Sequence, residues 1–386
     1  MKGEYLPGNR IELLETGGEF FPALRAAIDD ARAEIYLETY IFENDDTGRM
    51  IAAALTRACL RGVTVRVLVD GFGARDFTQT LMPELLRNGV EVQVYRPEIA
   101  RFRFRRHRLR RLHRKVAVVD GRTAFVGGIN IVDDVDAADP APPRYDYAVS
   151  VSGPLLANIH ASTRRIWELV SWANFKRRFR TATNASLVTD CCGDTWARFV
   201  IRDNLRHRRD IEEAYLDAIA NARSEIVLAN AYFLPGRRFR RALLRASRRG
   251  VRVIVLLQGR VEYVLLHYAT QALYGTLLAG GIRVFEYHRS FLHAKVAVVD
   301  SHWATVGSSN IDPFSLLLAR EANVVVHDAR FATRLRTSLQ SAMDCGAVEL
   351  DEKQWQRKAL LSRAASWLAY GIVRLMIGLA GHGRKH

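Results

Sequence analysis

The chain repeats itself, and an internal duplication narrows the available folds more than any other property of a sequence. Residues 28–43 (IDDARAEIYLETYIFE) resemble 219–234 (IANARSEIVLANAYFL), and 60–71 (LRGVTVRVLVDG) resemble 248–259 (RRGVRVIVLLQG). Residues 86–95 (LRNGVEVQVY) resemble 278–287 (LAGGIRVFEY). The closest pair is 113–130 (HRKVAVVDGRTAFVGGIN) and 293–310 (HAKVAVVDSHWATVGSSN), identical at 11 of 18 positions without a gap. Each copy reads alike. A helix (21–33; 211–222) with apolar residues at helical spacing precedes a strand (34–40; 225–231). A second helix (50–61; 238–249) ends at the glycine of an R-G-V turn, and a solid apolar run (63–69; 251–257) follows, as in a strand buried on both faces. The alternation predicts an α/β fold with a largely parallel sheet, two βα units packed as a pseudo-twofold body around one shared active site.

Domain boundaries follow from the same reading. The first repeat covers 1–175, a basic then polar linker 176–197, the second repeat 198–345, and a C-terminal segment 346–386. Residues 132–143 (VDDVDAADPAPP) are acidic and proline-rich and read as a loop.

The chemistry concentrates in the duplicated segment. In HRKVAVVD a His-x-Lys pair opens an apolar strand, so His113 and Lys115 share a face while Arg114 points away. The chain turns at Asp120-Gly121, returns, and bends at Gly127-Gly128 before Asn130. His293, Lys295 and Asn310 repeat the set, with Ser308 and Ser309 where the first copy has Gly128 and Ile129. Facing each other, the copies offer two imidazoles, two ammoniums and two amides. That set suits a phosphodiester: Lys and Asn hold the non-bridging oxygens, one His attacks phosphorus and the other protonates the leaving alcohol. Both copies keep lysine here in a chain with seven lysines and fifty arginines, and arginine does not replace a compact ammonium freely.

The pattern H-x-K-x4-D followed by G-G/S-x-N, twice in one chain over roughly residues 10–345, resembles the phospholipase D superfamily. Within it, NAYFLPG (230–236), FEYHRSFLHAKVAVVD (285–300) and WATVGSSNIDPFSL (303–316) resemble bacterial cardiolipin synthases of the type without an N-terminal membrane anchor. The resemblance implies a phosphatidyltransferase that joins two phosphatidylglycerols into cardiolipin and glycerol through a phosphohistidine. It implies His113 and His293 as catalytic histidines, one of which carries the phosphohistidine; our own assignment is His113 as nucleophile and His293 as acid. Lys115, Lys295, Asn130 and Asn310 match phosphate-binding groups, and Asp120 and Asp300 the motif aspartates, in a supporting role. Asp146 and Glu321, before the last strand of each copy, match carboxylates that orient a histidine. It implies neither metal nor other cofactor.

Composition bears on partners. The formal net charge of +16 favours a polyanion. Residues 101–115 (RFRFRRHRLRRLHRK) hold nine Lys or Arg, which suits anionic lipid head groups or a nucleic-acid arm with Phe102 and Phe104 as stacking groups. Their position beside His113 favours lipid. Residues 361–380 read as an amphipathic helix at a membrane interface. No run reaches the roughly 18 to 20 apolar residues of a membrane span, and 1–11 lack the core of a secretory signal. Four scattered cysteines exclude a disulfide framework and a zinc cluster. The expected protein is peripheral on the bacterial inner membrane, on its cytoplasmic side, with an anionic phospholipid substrate. Two alternatives stay open: a phospholipase or nuclease with water as acceptor, and a binding scaffold without activity.

Overall fold

The computed structural model describes residues 4–96, 111–133, 143–174, 186–203, 206–312, 319–357 and 360–381. The first repeat runs β1 (Leu6–Glu15), α1 (Thr16–Asp30), β2 (Glu34–Thr39), α2 (Asp46–Leu60), β3 (Thr64–Asp70), α3 (Arg75–Gln79), α4 (Leu81–Arg87), β4 (Glu91–Tyr95), β5 (Arg111–Leu112), β6 (Lys115–Val119), β7 (Thr123–Gly127), β8 (Tyr147–Ser152) and α5 (Leu156–Ala173). The second runs β9 (Thr195–Arg202), α6 (Asp210–Asn221), β10 (Glu225–Asn230), α7 (Arg237–Arg248), β11 (Arg252–Gln258), α8 (Val264–Ala279), β12 (Arg283–Tyr287), β13 (Lys295–Val299), β14 (Trp303–Gly307), β15 (Ala319–His327) and α9 (Ala329–Gly346). The chain ends in β16 (Ala347–Glu349), α10 (Glu352–Arg357) and α11 (Leu360–Gly381).

The strands form one continuous path, β16-β12-β11-β10-β13-β14-β15-β9-β1-β8-β7-β6-β2-β3-β4. Read outward from the β9–β1 junction, the two halves have the same order, which is the pseudo-twofold body expected from the repeat. The sheet is mixed and not largely parallel. Along this path parallel pairing is confined to β2-β3-β4 and β10-β11-β12. Inside these, β6-β7-β8 and β13-β14-β15 are antiparallel; β6–β7 and β13–β14 are joined by tight turns, which permit only that pairing.

Local chemistry sets these elements. Asp45 caps α2 by accepting from the Gly48 N–H at 2.7 Å, and Asp328 caps α9 through Phe331 N–H at 2.7 Å. The R-G-V turns place Gly62 and Gly250 at φ of 91° and 89°, where a left-handed residue ends the helix. Each half buries one sheet face under its own helices, α1–α2 in the first and α6–α8 in the second. The other faces meet in a shared core, with Val116, Val118 and Val149 from one half and Val296, Val298 and Val324 from the other. Strand alternation divides β6 accordingly, since Ala117 and Val119 point to the first half's outer layer.

Two boundaries differ from expectation. The linker assigned to 176–197 ends earlier, because β9 begins at Thr195 and pairs with β1 across the junction. The C-terminal segment assigned from 346 gives its first residues to the second half, where β16 pairs with β12. Neither β1 nor β9 lies in the recognisable repeat, yet both close the halves together. Asn9 ties the junction, donating to Leu6 and Thr195 carbonyls and accepting from Leu155 N–H. The basic residues 101–110 and most of the acidic loop fall outside the described residues.

Candidate active site

Each histidine sits where its half meets the other. His113 lies between β5 and β6, and β5 pairs with β15 of the second half. His293 precedes β13, and Leu292 bridges Tyr145 of the first half. The two contacts are copies. The His113 N–H donates to the Arg320 carbonyl at 3.0 Å, and the His293 N–H to the Tyr145 carbonyl at 2.8 Å. Arg320 and Tyr145 are the residues just before Glu321 and Asp146, so each backbone bond delivers a carboxylate to the other half's imidazole. His293 Nδ1 is 2.6 Å from Asp146 Oδ2. His113 Nδ1 is 3.0 Å and 3.2 Å from the two oxygens of Glu321. A carboxylate on Nδ1 keeps the proton there in the neutral ring and leaves the Nε2 lone pair for chemistry.

The lysines are buried beside them. Lys115 Nζ donates to the His113 carbonyl at 2.7 Å, and Lys295 Nζ donates to the His293 carbonyl and to Asp146 Oδ2 at 3.3 Å. Burial pushes Lys115 down to about 7, with Glu321 opposing and Lys295 reinforcing the shift. Burial likewise lowers Lys295 to about 8 against the pull of Asp146. Burial and the Lys295 charge push His293 down to about 3, despite Asp146. Burial would raise Asp146, but Lys295 and His293 outweigh it and hold the carboxyl below its usual range. In the free site Lys115, Lys295 and His293 thus hold protons less tightly than they would in water, and a bound anion would favour their charged forms. The Asn130 and Asn310 side-chain oxygens accept backbone N–H bonds from Ile41 (3.1 Å) and Tyr232 (3.4 Å), which fixes both amides.

The motif aspartates are elsewhere. Asp120 accepts from the N–H groups of Arg32, Ala33 and Glu34 at 2.8–2.9 Å, and Asp300 from Arg223, Ser224 and Glu225 at the same distances. Both stand at the far end of a five-residue strand from the His-x-Lys pair, roughly 17 Å away at strand rise. They close the hairpin turns, at φ 51° each, and do not line the pocket. Their support thus goes to the hairpin turns, a strand length from the histidines.

Sequence reasoning missed several contributors. Asp70 and Gln258, at matching positions of the repeat, accept from Leu112 N–H (2.8 Å) and Leu292 N–H (3.2 Å), the residues preceding each histidine. The aligned strings LVDG and LLQG carried that signal. The Tyr40 ring lies 4.9 Å from the His113 ring and 5.5 Å from Lys115 Nζ, with burial raising its hydroxyl to about 12. Arg114 points away from the pocket, as alternation predicts, into a buried ion pair with Glu38. Ser308 donates to Glu321 Oε2 at 2.5 Å, whereas a Cβ on Gly128 would sit 2.4 Å from Asp146 Oδ1. Among the described residues no group of three or more His, Cys, Asp or Glu is placed to hold a metal ion.

A twofold-related pair of His-x-Lys clusters on a duplicated α/β body defines a phospholipase D-like enzyme. The sequence profile described as "Cardiolipin synthase, PLD-like domain" matches residues 24–134 and 215–343, and the chain belongs to that family, a family of phosphatidyltransferases. It is 38% identical to "Cardiolipin synthase B" of Escherichia coli (strain K12), over 99% of this chain and 92% of that protein. It is 28% identical to a probable cardiolipin synthase of Bacillus subtilis (strain 168), over 87% of this chain and 66% of that one. In fold it is similar to the crystal structure of phosphatidylserine synthase from Haemophilus influenzae Rd KW20, with a TM-score of 0.72 at 14% identity, covering 97% of this chain and 95% of that one.

Proposed function

We propose that the protein is a cardiolipin synthase that transfers a phosphatidyl group between phospholipids through a histidine. The observation carrying this reading is the crossed clamp, in which each half's carboxylate holds the other half's imidazole beside a buried ammonium. Lys115, Lys295, Asn130 and Asn310 bind the phosphodiester oxygens. His113 Nε2 attacks phosphorus, a P–N bond forms, and the P–O bond to glycerol breaks as His293 protonates the leaving oxygen. His293, now neutral, takes the proton from a hydroxyl of a second phosphatidylglycerol. That oxygen attacks phosphorus, the P–N bond breaks, and cardiolipin leaves. Asp120 and Asp300 support this only by fixing the hairpins. The protein works peripherally on the cytoplasmic face of the inner membrane, where its substrates lie.

One observation favours the reverse order. His293 enters as a neutral imidazole, ready to attack, while His113 is the more exposed of the two. Purified protein on phosphatidylglycerol vesicles with chelator, read by mass spectrometry, tests the reaction. Cardiolipin with free glycerol supports it, and phosphatidic acid as the main product would make the protein a hydrolase. Acid-quenched phosphatidyl-protein, mapped by peptide, identifies the nucleophile.

A further inference from the structure

The repeat makes α2 and α7 counterparts, and they differ in one respect that the fold does not require. In α2, Arg49 pairs with Asp46 and Arg57 with Asp29. Helix α7 (RRFRRALLRASR) has no acidic residue, and Arg237, Arg238, Arg241, Arg245 and Arg248 are exposed. Among the described residues none of these five forms an ion pair with an acid, and at helical spacing they share a stripe roughly 100° wide. The opposite stripe, with Phe239, Leu243 and Ala246, is buried. Two of the arginines stand in the first turn, where the helix dipole disfavours a cation and an external anion would be favourable.

Helix α11 adjoins this stripe. Arg240 Nη1 donates to the Tyr370 hydroxyl at 3.5 Å, linking the two helices. Ser366, Ala369 and Val373 turn inward, and the latter two join the second half's core. The outer face is apolar: Leu368 is 67% exposed and Leu375 64%, flanked by exposed Trp367, Ile372 and Met376. No helix among the described residues is long and apolar enough to cross a membrane. The helix expected to lie at an interface thus does two things at once, docking by one face and leaving the other bare. The turn before α8 adds exposed Val261 and Tyr263. The Tyr263 ring packs on Tyr232 at 5.6 Å, and the Tyr232 N–H reaches Asn310, which links this turn to the site.

We propose that the outer faces of α7 and α11 form the seat by which the protein docks on a bilayer of anionic phospholipid. The arginine stripe meets lipid phosphates and the α11 ridge enters the acyl boundary. An apolar ridge beside the stripe fits a bilayer better than a nucleic acid. The inference rests on the lipid-transferase reading, because the bilayer would hold the substrate.

Vesicle flotation of the full chain tests it, with phosphatidylglycerol–phosphatidylethanolamine vesicles at low and high salt. One variant carries Arg238→Gln, Arg241→Gln, Arg245→Gln and Arg248→Gln. A second carries Leu368→Ser and Leu375→Ser. All six side chains are exposed, so both variants are expected to fold, as circular dichroism would verify. The first should lose binding by about fivefold per arginine, several-hundred-fold in all. The second should lose roughly tenfold or more at both salt concentrations. Turnover of a short-chain phosphatidylglycerol dissolved as monomers should stay at the wild-type level in both. Wild-type flotation by the variants would overturn the proposal. So would loss of nucleic-acid binding with vesicle binding intact, or loss of monomer turnover in step with flotation. Wild-type protein that floats but gives no product from the monomer would sustain the docking surface and sink the transferase reading instead.

Discussion

The two halves hold the same catalytic pair by different means. In the first, Asp146 lies against Gly128, and a buried Arg114–Glu38 ion pair anchors the strand behind His113. In the second, the longer Glu321 takes a hydroxyl from Ser308, and Ala294 and Ala229 stand where the ion pair would be. What stayed equal is the set that faces the pocket, His, Lys and Asn. What drifted is the support, and it drifted in matched pairs: the shorter carboxylate with glycine, the longer with serine, charge with charge, methyl with methyl. A support can change only if its partner changes with it, because close packing and buried charge penalise a lone substitution.

The crossed clamp gives the largest expected effect. Asp146→Asn removes the charge that balances His293 and Lys295, and Glu321→Asn removes the clamp on His113. Each should lower kcat on the order of 10³-fold or more, with the fold intact by circular dichroism. Asp146→Asn should be the worse, since Asp146 meets both His293 and the Lys295 ammonium, whereas Glu321 meets His113 and the uncharged Ser308 hydroxyl. Equal, mild losses would mean that the carboxylates merely fill space. Arg114→Ala is next. It leaves Glu38 buried without its partner and should cost about 3–5 kcal/mol in urea denaturation. Arg114→Ala with Glu38→Ala, which copies the second half, should cost less than Arg114→Ala alone. A double variant less stable than the single would deny that charge pairing is the local constraint.

The lysines sharpen the comparison through pH. Both have ammonium groups pushed down, to about 7 for Lys115 and about 8 for Lys295. Their charge is present below those values and lost as pH rises through them. Phosphate binding needs the charged form, so binding of an inert phosphodiester should weaken above pH 7–8 and take up protons at pH 8. Calorimetry in buffers of different ionisation enthalpy reads that uptake. No uptake would mean that the ammoniums stay charged in the free protein. Uptake reduced in Lys115→Met more than in Lys295→Met would assign the larger share to the first half.

Much of this was legible in the residues. The repeat, the H-x-K faces and the fold class follow from identity and strand alternation, which are local. The crossed pairing was not legible. Asp146 and Glu321 could be seen as carboxylates suited to a histidine, but which histidine each meets depends on how β5 and Leu292 reach across the halves. Strands β1 and β9 were missed because they carry no copy of the motif and alternate poorly, although they make the junction. What Asp120 and Asp300 support was not legible either, because the motif is short in sequence, yet an extended strand carries them to its other end. The arginine stripe of α7 was not legible because which face of the helix stays uncovered depends on the elements the fold packs against it.

The smallest expected effect tests the matched pairs directly. Ser308→Gly removes one buried hydroxyl bond to Glu321, worth about 1.5–3 kcal/mol, and should lower kcat only modestly while leaving KM unchanged. Glu321→Asp should be worse, because the shorter carboxylate, placed as Asp146 is, would meet the Ser308 Cβ where the first half has none: a Cβ on Gly128 would lie 2.4 Å from Asp146 Oδ1. Combining Glu321→Asp with Ser308→Gly rebuilds the first half's pair inside the second. The combination should recover activity relative to Glu321→Asp alone, a coupling that a double-mutant cycle measures. Strict additivity would show that carboxylate length and the neighbouring side chain are independent, and that the difference between the halves is drift without constraint.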